Sequence, residues 1–164
     1  MARSLQEWKG MVVFMVYLAE TKDVENILRI VSDTVSGIYP HYYPKGVVCF
    51  FLQHHCFENI LDDINKQNVY IISACKEPAG TITIKRNSIN RLFVLPEYQG
   101  RGYGRQLMDF AEKEISRNYT SVHIDSSLPA KEMYLKLGYK EIKTCHINAN
   151  YGDVLVYDEM EKKL

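Results

Sequence analysis

The chain has 164 residues, the size of one ordinary domain, and 46% of them are hydrophobic against 24% charged. That balance is globular, and no Pro-, Gly- or Ser-rich linker, charge block or internal repeat divides residues 1–164 into smaller units. Twenty basic and twenty acidic residues cancel, which removes the electrostatic surplus needed for sequence-independent binding to a nucleic-acid backbone and argues against a nucleic-acid partner.

The first element is an apolar run, Met11 to Ala19. It is too short to cross a membrane. Glu7 stands where a leader would carry positive charge, and the run is rich in Val and aromatics, so it predicts a buried strand over Val12–Ala19 rather than a signal core. After Thr21-Lys22-Asp23, the positions Val24, Ile27, Leu28, Val31 and Val35 keep helical spacing. Gly37 to Gly46, with Pro40, Pro44 and the rings of Tyr39, Tyr42 and Tyr43, has loop chemistry. Val47 to Gln67 reads as one or two helices, with Val48, Phe51, Leu52 and His55 on one face and Ile60, Leu61 and Ile64 on another.

A meander follows. Val69–Cys75, Thr81–Lys85 and Ile89–Leu95 predict three strands, with turns at Glu77-Pro78-Ala79-Gly80 and Asn87-Ser88. Pro96 ends the third strand, a glycine-rich turn follows, and Leu107, Met108, Ala111 and Ile115 stripe a helix that starts at Tyr103. Val122–Asp125 is a short strand and Pro129–Leu137 a short helix stopped by Gly138. Tyr139–Ile147 and Val154–Met160 close the chain as strands. The order β-α-α-β-β-β-α-β-α-β-β predicts a three-layer α/β fold with a mixed, mostly antiparallel central sheet flanked by helices.

The glycines of Gly100-Arg101-Gly102-Tyr103-Gly104 sit between a strand and an amphipathic helix. Glycine permits positive φ and close backbone approach, and the helix's first turn adds unpaired N–H groups and the positive end of its dipole. The product is an anion cradle, with Arg101 and Arg105 placed to reach further oxygens. Taken alone, the turn fits a plain strand-to-helix connection as well. Neither the P-loop nor the dinucleotide-binding spacing is present.

Leu92-Phe93-Val94-Leu95-Pro96-Glu97-Tyr98-Gln99-Gly100-Arg101-Gly102-Tyr103-Gly104 closely resembles the pyrophosphate motif of the GNAT superfamily of N-acetyltransferases, Q/R-x-x-G-x-G/A, with Gln99, Gly102 and Gly104 at its fixed positions. Ala130-Lys131-Glu132-Met133-Tyr134-Leu135-Lys136-Leu137-Gly138-Tyr139 resembles the family's later block, a tyrosine-bearing helix ending at Gly-Phe or Gly-Tyr. The resemblance implies acetyl-CoA as acyl donor. Main-chain groups of Leu92, Phe93 and Val94 would meet the pantetheine arm, and N–H groups from Gly100 to Arg105 the pyrophosphate. Ser127 stands where family members often carry a cofactor-contacting asparagine. The acceptor would be an amine-bearing small molecule or protein, and a homodimer is compatible with the family.

Transfer to an amine needs a neutral nitrogen, a site for the charge that grows on the carbonyl oxygen, and an acid for the departing thiolate. A phenol with a pKa of about 10 suits the last role, which falls to Tyr134. The oxyanion is expected at a main-chain N–H near Val94 or Leu95. No Asp or Glu stands on Thr81–Ile84 or Ile89–Leu95 to act as base; His54 and Glu58 read as a solvated helix face, and Tyr39, Tyr42 and Tyr43 fit either an acceptor pocket or loop packing. His54, His55 and Cys56 are adjacent and do not converge on a metal, while His123 and His146 read as satisfied structural histidines. The competing reading is an acyl-CoA-binding sensor or scaffold without catalysis. A cradle for other phosphorylated ligands is a third reading. The four cysteines, Cys49, Cys56, Cys75 and Cys145, form no C-x-x-C pair and fit reduced thiols in a cytoplasm.

Overall fold

The computed structural model describes residues 15–164. Its seven strands are β1 (Met15–Leu18), β2 (Val69–Ala74), β3 (Glu77–Lys85), β4 (Ser88–Val94), β5 (Ser121–Ser126), β6 (Lys140–Asn148) and β7 (Val154–Lys163). They form one sheet in the order β1-β2-β3-β4-β5-β7-β6, antiparallel everywhere except between β4 and β5. The helices are α1 (Val24–Ile38), α2 (Lys45–His54), α3 (Phe57–Asn65), α4 (Tyr103–Ser116) and α5 (Lys131–Lys136).

Each face of the sheet carries its own core. On one side Ile27, Ile30 and Val31 of α1 and Ile60 of α3 pack with Ile71, Phe93 and Leu95. On the other, Leu107, Met108 and Ala111 of α4 pack with Ile72, Ile82, Val122 and Met160. Burying each large aliphatic side chain contributes about 1.5–3 kcal/mol. The helical stripes of α1 and α4 are therefore what fasten the outer layers to the sheet, and the three-layer architecture is the one expected from the pattern.

Three local expectations are corrected. The region from Val47 to Gln67 is two helices, one of its two expected readings, parted at His55 and Cys56, where ψ changes from 40° to 170°; but α2 begins earlier, at Lys45, and three helices precede β2 where the expected order had two. The β2–β3 turn is not at Glu77–Gly80 but at Cys75-Lys76, both at positive φ (48° and 73°). Gly80 lies inside β3 instead, because a Cβ there would stand 2.9 Å from the Phe93 carbonyl oxygen; its role is close strand packing, not turning. Of the expected buried strand Val12–Ala19, residues 12–14 lie outside the described residues; Met15–Leu18 form the sheet edge among the described residues and are not buried, with Met15 58% and Leu18 39% exposed and Val16 and Tyr17 half-buried.

All four cysteines are free. Among the described residues no helix is long and apolar enough to cross a membrane, and no cluster of His, Cys, Asp and Glu could hold a metal ion.

Candidate active site

The site begins with a strand separation. β4 and β5 pair only at Ser88 with His123 and Ile89 with Ile124. Beyond that point β4 runs on to Val94 and β5 to Ser126 without each other, leaving a cleft in the middle of the sheet. Two cavities open on it. One, of about 400 Å³, runs from the cleft to the glycine-rich turn. The other, of about 210 Å³, lies on the α2 side. Tyr39, Leu92, Phe93, Ser127, Ala130 and Tyr134 line both, so these residues mark the junction.

In the larger cavity the backbone supplies the polar groups. Gly100 (φ 72°) and Gly102 (φ 86°) are left-handed, and a Cβ on either would meet nothing within 4 Å. The turn therefore has room in front of it and a conformation that only glycine takes without strain. Gly102 caps α4 and its carbonyl accepts from Gln106 N–H at 3.0 Å; the N–H groups of Tyr103, Gly104 and Arg105 precede the first intrahelical bond and point out of the helix end. Gly104 sits against Met133, whose Sδ would be 3.5 Å from an added Cβ. Donors, dipole and open space together fit a pyrophosphate.

The expected site residues divide by role. Gln99 turns its amide inward, donating from Nε2 to the Val94 carbonyl at 2.8 Å, and the Thr34 hydroxyl approaches the same oxygen at 3.2 Å. Gln99 thus braces the turn against β4. Tyr103 is buried, with its ring edge-on to Tyr98. Arg105 lines the cavity from an exposed position, 3.9 Å from Asp109, while Arg101 lies over the Tyr98 ring and does not line the cavity. Leu95 N–H donates to Ala79 O at 2.9 Å, so it is not the oxyanion donor. The alternation of an antiparallel ladder then turns the main-chain groups of Phe93 toward β3 and those of Leu92 and Val94 toward the cleft.

At the junction, Tyr134 is 5% exposed, its ring lies 5.8 Å from that of Tyr139, and its hydroxyl has no hydrogen-bond partner among the described residues. Burial, and then the neighbouring Tyr39, push its pKa above the ordinary phenol range. Tyr39 donates to the Ser127 hydroxyl at 3.2 Å, and burial raises its pKa to about 12. Ser127 is therefore already engaged, but its own O–H remains a donor.

The smaller cavity is walled by Phe50, Phe51 and His54 of α2 and by Ile147, Leu155 and Tyr157 of the β6–β7 hairpin. Its floor holds a buried cation, two positions before Phe93 on β4. Arg91, 6% exposed, donates from Nη1 to Thr83 Oγ1 at 2.7 Å, from Nη1 and Nη2 to Asp63 at 3.3 Å, and from Nε to His55 Nδ1 at 3.3 Å. Lys85 closes on the other Asp63 oxygen at 2.6 Å. Burial first, then Arg91, lower the His55 pKa to about 2, so the ring is neutral. His54 lines this cavity rather than standing on a purely solvated face, whereas Glu58 is exposed and outside it. His123 and His146 are exposed and line neither cavity, and His123 Nε2 meets Ser121 Oγ at 3.4 Å. Of the tyrosine trio, Tyr39 lines both cavities and Tyr42 only the larger; Tyr43 packs in the core and its hydroxyl accepts from Leu128 N–H at 2.7 Å.

A split parallel pair in an otherwise antiparallel sheet, with an anion cradle at one end and a buried tyrosine at the middle, is the arrangement of an acyl-CoA N-acyltransferase fold. The sequence model of the acetyltransferase (GNAT) domain matches residues 38–163, and the chain belongs to that family. An uncharacterized N-acetyltransferase of Staphylococcus epidermidis is 37% identical over 68 residues, 42% of each chain. The uncharacterized N-acetyltransferase YafP of Escherichia coli is 27% identical over 82 residues, 50% of this chain and 52% of that one. The match thus spans about half the length of these relatives. Among solved structures, a GCN5-related N-acetyltransferase from Rhodopseudomonas palustris superposes with a TM-score of 0.83 at 22% identity, covering 97% of this chain and 99% of the other. The PaiA N-acetyltransferase of Thermoplasma acidophilum, solved with coenzyme A, gives 0.73 at 18% identity over 93% and 99%. YncA of Salmonella typhimurium, a putative acetyltransferase solved with acetyl-CoA, gives 0.71 at 15% over 93% and 94%. These structures share the fold.

Proposed function

We propose that residues 1–164 act as one acetyltransferase domain that moves an acetyl group from acetyl-CoA directly to a primary amine, with Tyr134 as general acid. The observation that carries this reading is the meeting of the two cavities at Tyr134 across the β4–β5 cleft. A donor in the larger and an acceptor in the smaller would approach each other there.

Acetyl-CoA, when bound, supplies the thioester carbonyl and a thiolate leaving group. The N–H groups of Gly100 to Arg105 would hold its pyrophosphate, and the cleft-facing main chain of Leu92 and Val94 its pantetheine arm. Val94 N–H is directed toward the cleft, where it would stabilise charge growing on the carbonyl oxygen. Tyr134 is protonated at neutral pH and would give its proton to the departing thiolate while the nitrogen sheds its own through water; the burial that raises the phenol's pKa makes it a weaker acid, not a stronger one. Four free cysteines fit a cytoplasmic setting.

CoA-thiol release over a panel of amines, comparing wild type with Tyr134→Phe, tests the assignment. The substitution is expected to lower kcat about 10²–10⁴-fold while acetyl-CoA binding persists. Tight acetyl-CoA binding with no amine-dependent release would make the domain an acyl-CoA-binding module instead.

A further inference from the structure

The smaller cavity has a chemistry of its own. Three aromatic side chains of α2 line it, with His54 stacked on Phe50 at an interplanar angle of 9° and Phe51 edge-on to Tyr39 at 4.8 Å; Tyr157 of β7 also lines it, from the sheet. Its volume of about 210 Å³ falls below the range of about 300–1,000 Å³ usual for drug-sized ligands. One ring and a short arm are what such a space takes.

One lining residue is a carboxylate, Asp125 of β5, which is exposed and so stands at the cavity's rim. It pairs in register with Glu159 of β7. Glu159 is committed to Lys143 at 3.2 Å and to Cys145 Sγ at 3.4 Å, while Asp125 has no ion pair among the described residues. Crowding by the walls, and then Glu159, raise the Asp125 pKa; Lys143 opposes this. The lining cation, Arg91, is held by Asp63, Thr83 and His55, so it offers little to a carboxylate on the acceptor. A polyamine would find one carboxylate where it needs several.

We infer that the acceptor is a small primary arylalkylamine, its ring between the α2 aromatics and Tyr157 and its ammonium first paired with Asp125, a specificity-determining residue, its nitrogen reaching the cleft once it has lost that proton to water. The inference rests on the transferase reading for the word acceptor, but the ligand class is measurable without turnover.

Phenethylamine, spermidine, alanine and the neutral 2-phenylethanol would be titrated calorimetrically into the protein, with and without CoA, at pH 7.5. Phenethylamine is expected to bind at least tenfold more tightly than spermidine or alanine. Asp125→Asn should weaken phenethylamine at least tenfold and leave 2-phenylethanol unchanged, which separates loss of the charge from loss of the fold. Tighter binding of spermidine or alanine, or an Asp125→Asn protein that binds phenethylamine as the wild type does, would overturn the inference while leaving acetyl transfer to another amine standing. Asp125-dependent phenethylamine binding without any acetyl transfer would uphold the ligand class and overturn the transferase reading.

Discussion

Tyr39 donates its hydroxyl hydrogen to Ser127 Oγ at 3.2 Å, tying the segment after α1 to the end of β5 where the two cavities meet. The phenol is buried and its pKa stands at about 12, so it is a fixed neutral donor throughout the physiological range. Tyr39→Phe keeps the ring that packs on Phe51 and removes only this bond. The net value of such a bond is about 1 kcal/mol, or about 2–4 °C in Tm for a domain of this size. A thermal scan should show that loss, and kcat should fall much less than in Tyr134→Phe, because the proposed proton donor is Tyr134 and Tyr39 only braces Ser127 beside it.

Gly102 offers a cleaner probe of the phosphate cradle. It is left-handed at φ 86° and a Cβ there would meet no atom within 4 Å, so a side chain would project into the space assigned to the pyrophosphate. Gly102→Ala should cost about 1–2 kcal/mol through its backbone conformation alone. Gly102→Glu adds bulk and like charge, and acetyl-CoA binding by calorimetry should disappear while the thermal transition stays near that of the alanine variant. Unchanged affinity in the glutamate variant would remove the phosphate assignment.

The sequence made the sheet and the donor end legible for a physical reason. The strands and the α4 stripe carry strong periodicity, and Gly100 and Gly102 hold left-handed backbone that only glycine takes without strain. The smaller cavity was not legible, because it is assembled from distant segments. Arg91 stands two positions before Phe93 on β4, which in retrospect signals a buried cation, but its partners Asp63 and His55 are 28 and 36 positions away. Asp125 reads as an ordinary strand-end carboxylate until β7 is laid beside it with Glu159 opposite. The Cys75-Lys76 turn was hidden for another reason: two non-glycine residues take positive φ there, while the nearby Gly80 draws attention for a role it plays inside the strand.

His55 makes the fold sensitive to acid. Its pKa is about 2 in the folded chain against an ordinary 6.5, because burial and Arg91 disfavour the cation. The unfolded chain therefore binds the proton first. The stability associated with neutral His55 is fully present above pH 6.5 and is lost as the pH falls toward the folded value, at about 1.4 kcal/mol per pH unit. The lowered Asp158 pKa, caused by hydrogen bonds from Lys131 and Thr144, has the same sign at lower pH. In His55→Gln, where an amide oxygen can still accept from Arg91, the drop in urea-unfolding free energy between pH 6.5 and pH 5.0 should be smaller by roughly 2 kcal/mol. Equal slopes in the two proteins would show that His55 takes up its proton in the folded state.

Arg91 and Asp63 are both nearly inaccessible, at 6% and 3% exposure, and Lys85 shares the Asp63 carboxylate from a half-exposed position. A buried pair of this kind adds little net stability as a pair, because desolvation opposes the attraction, but breaking it is severe. Arg91→Met should destabilise the fold by about 3–5 kcal/mol, since Asp63 keeps only Lys85 and the Thr83 and His55 acceptors lose their donor. Adding Asp63→Leu removes the stranded charge and releases Lys85 to water. The double variant should recover more than half of that loss, a coupling of at least about 1.5 kcal/mol in a double-mutant cycle read by urea unfolding. Strict additivity would instead mean that the two residues act independently, and that the floor of the smaller cavity is held by apolar packing rather than by this ion pair.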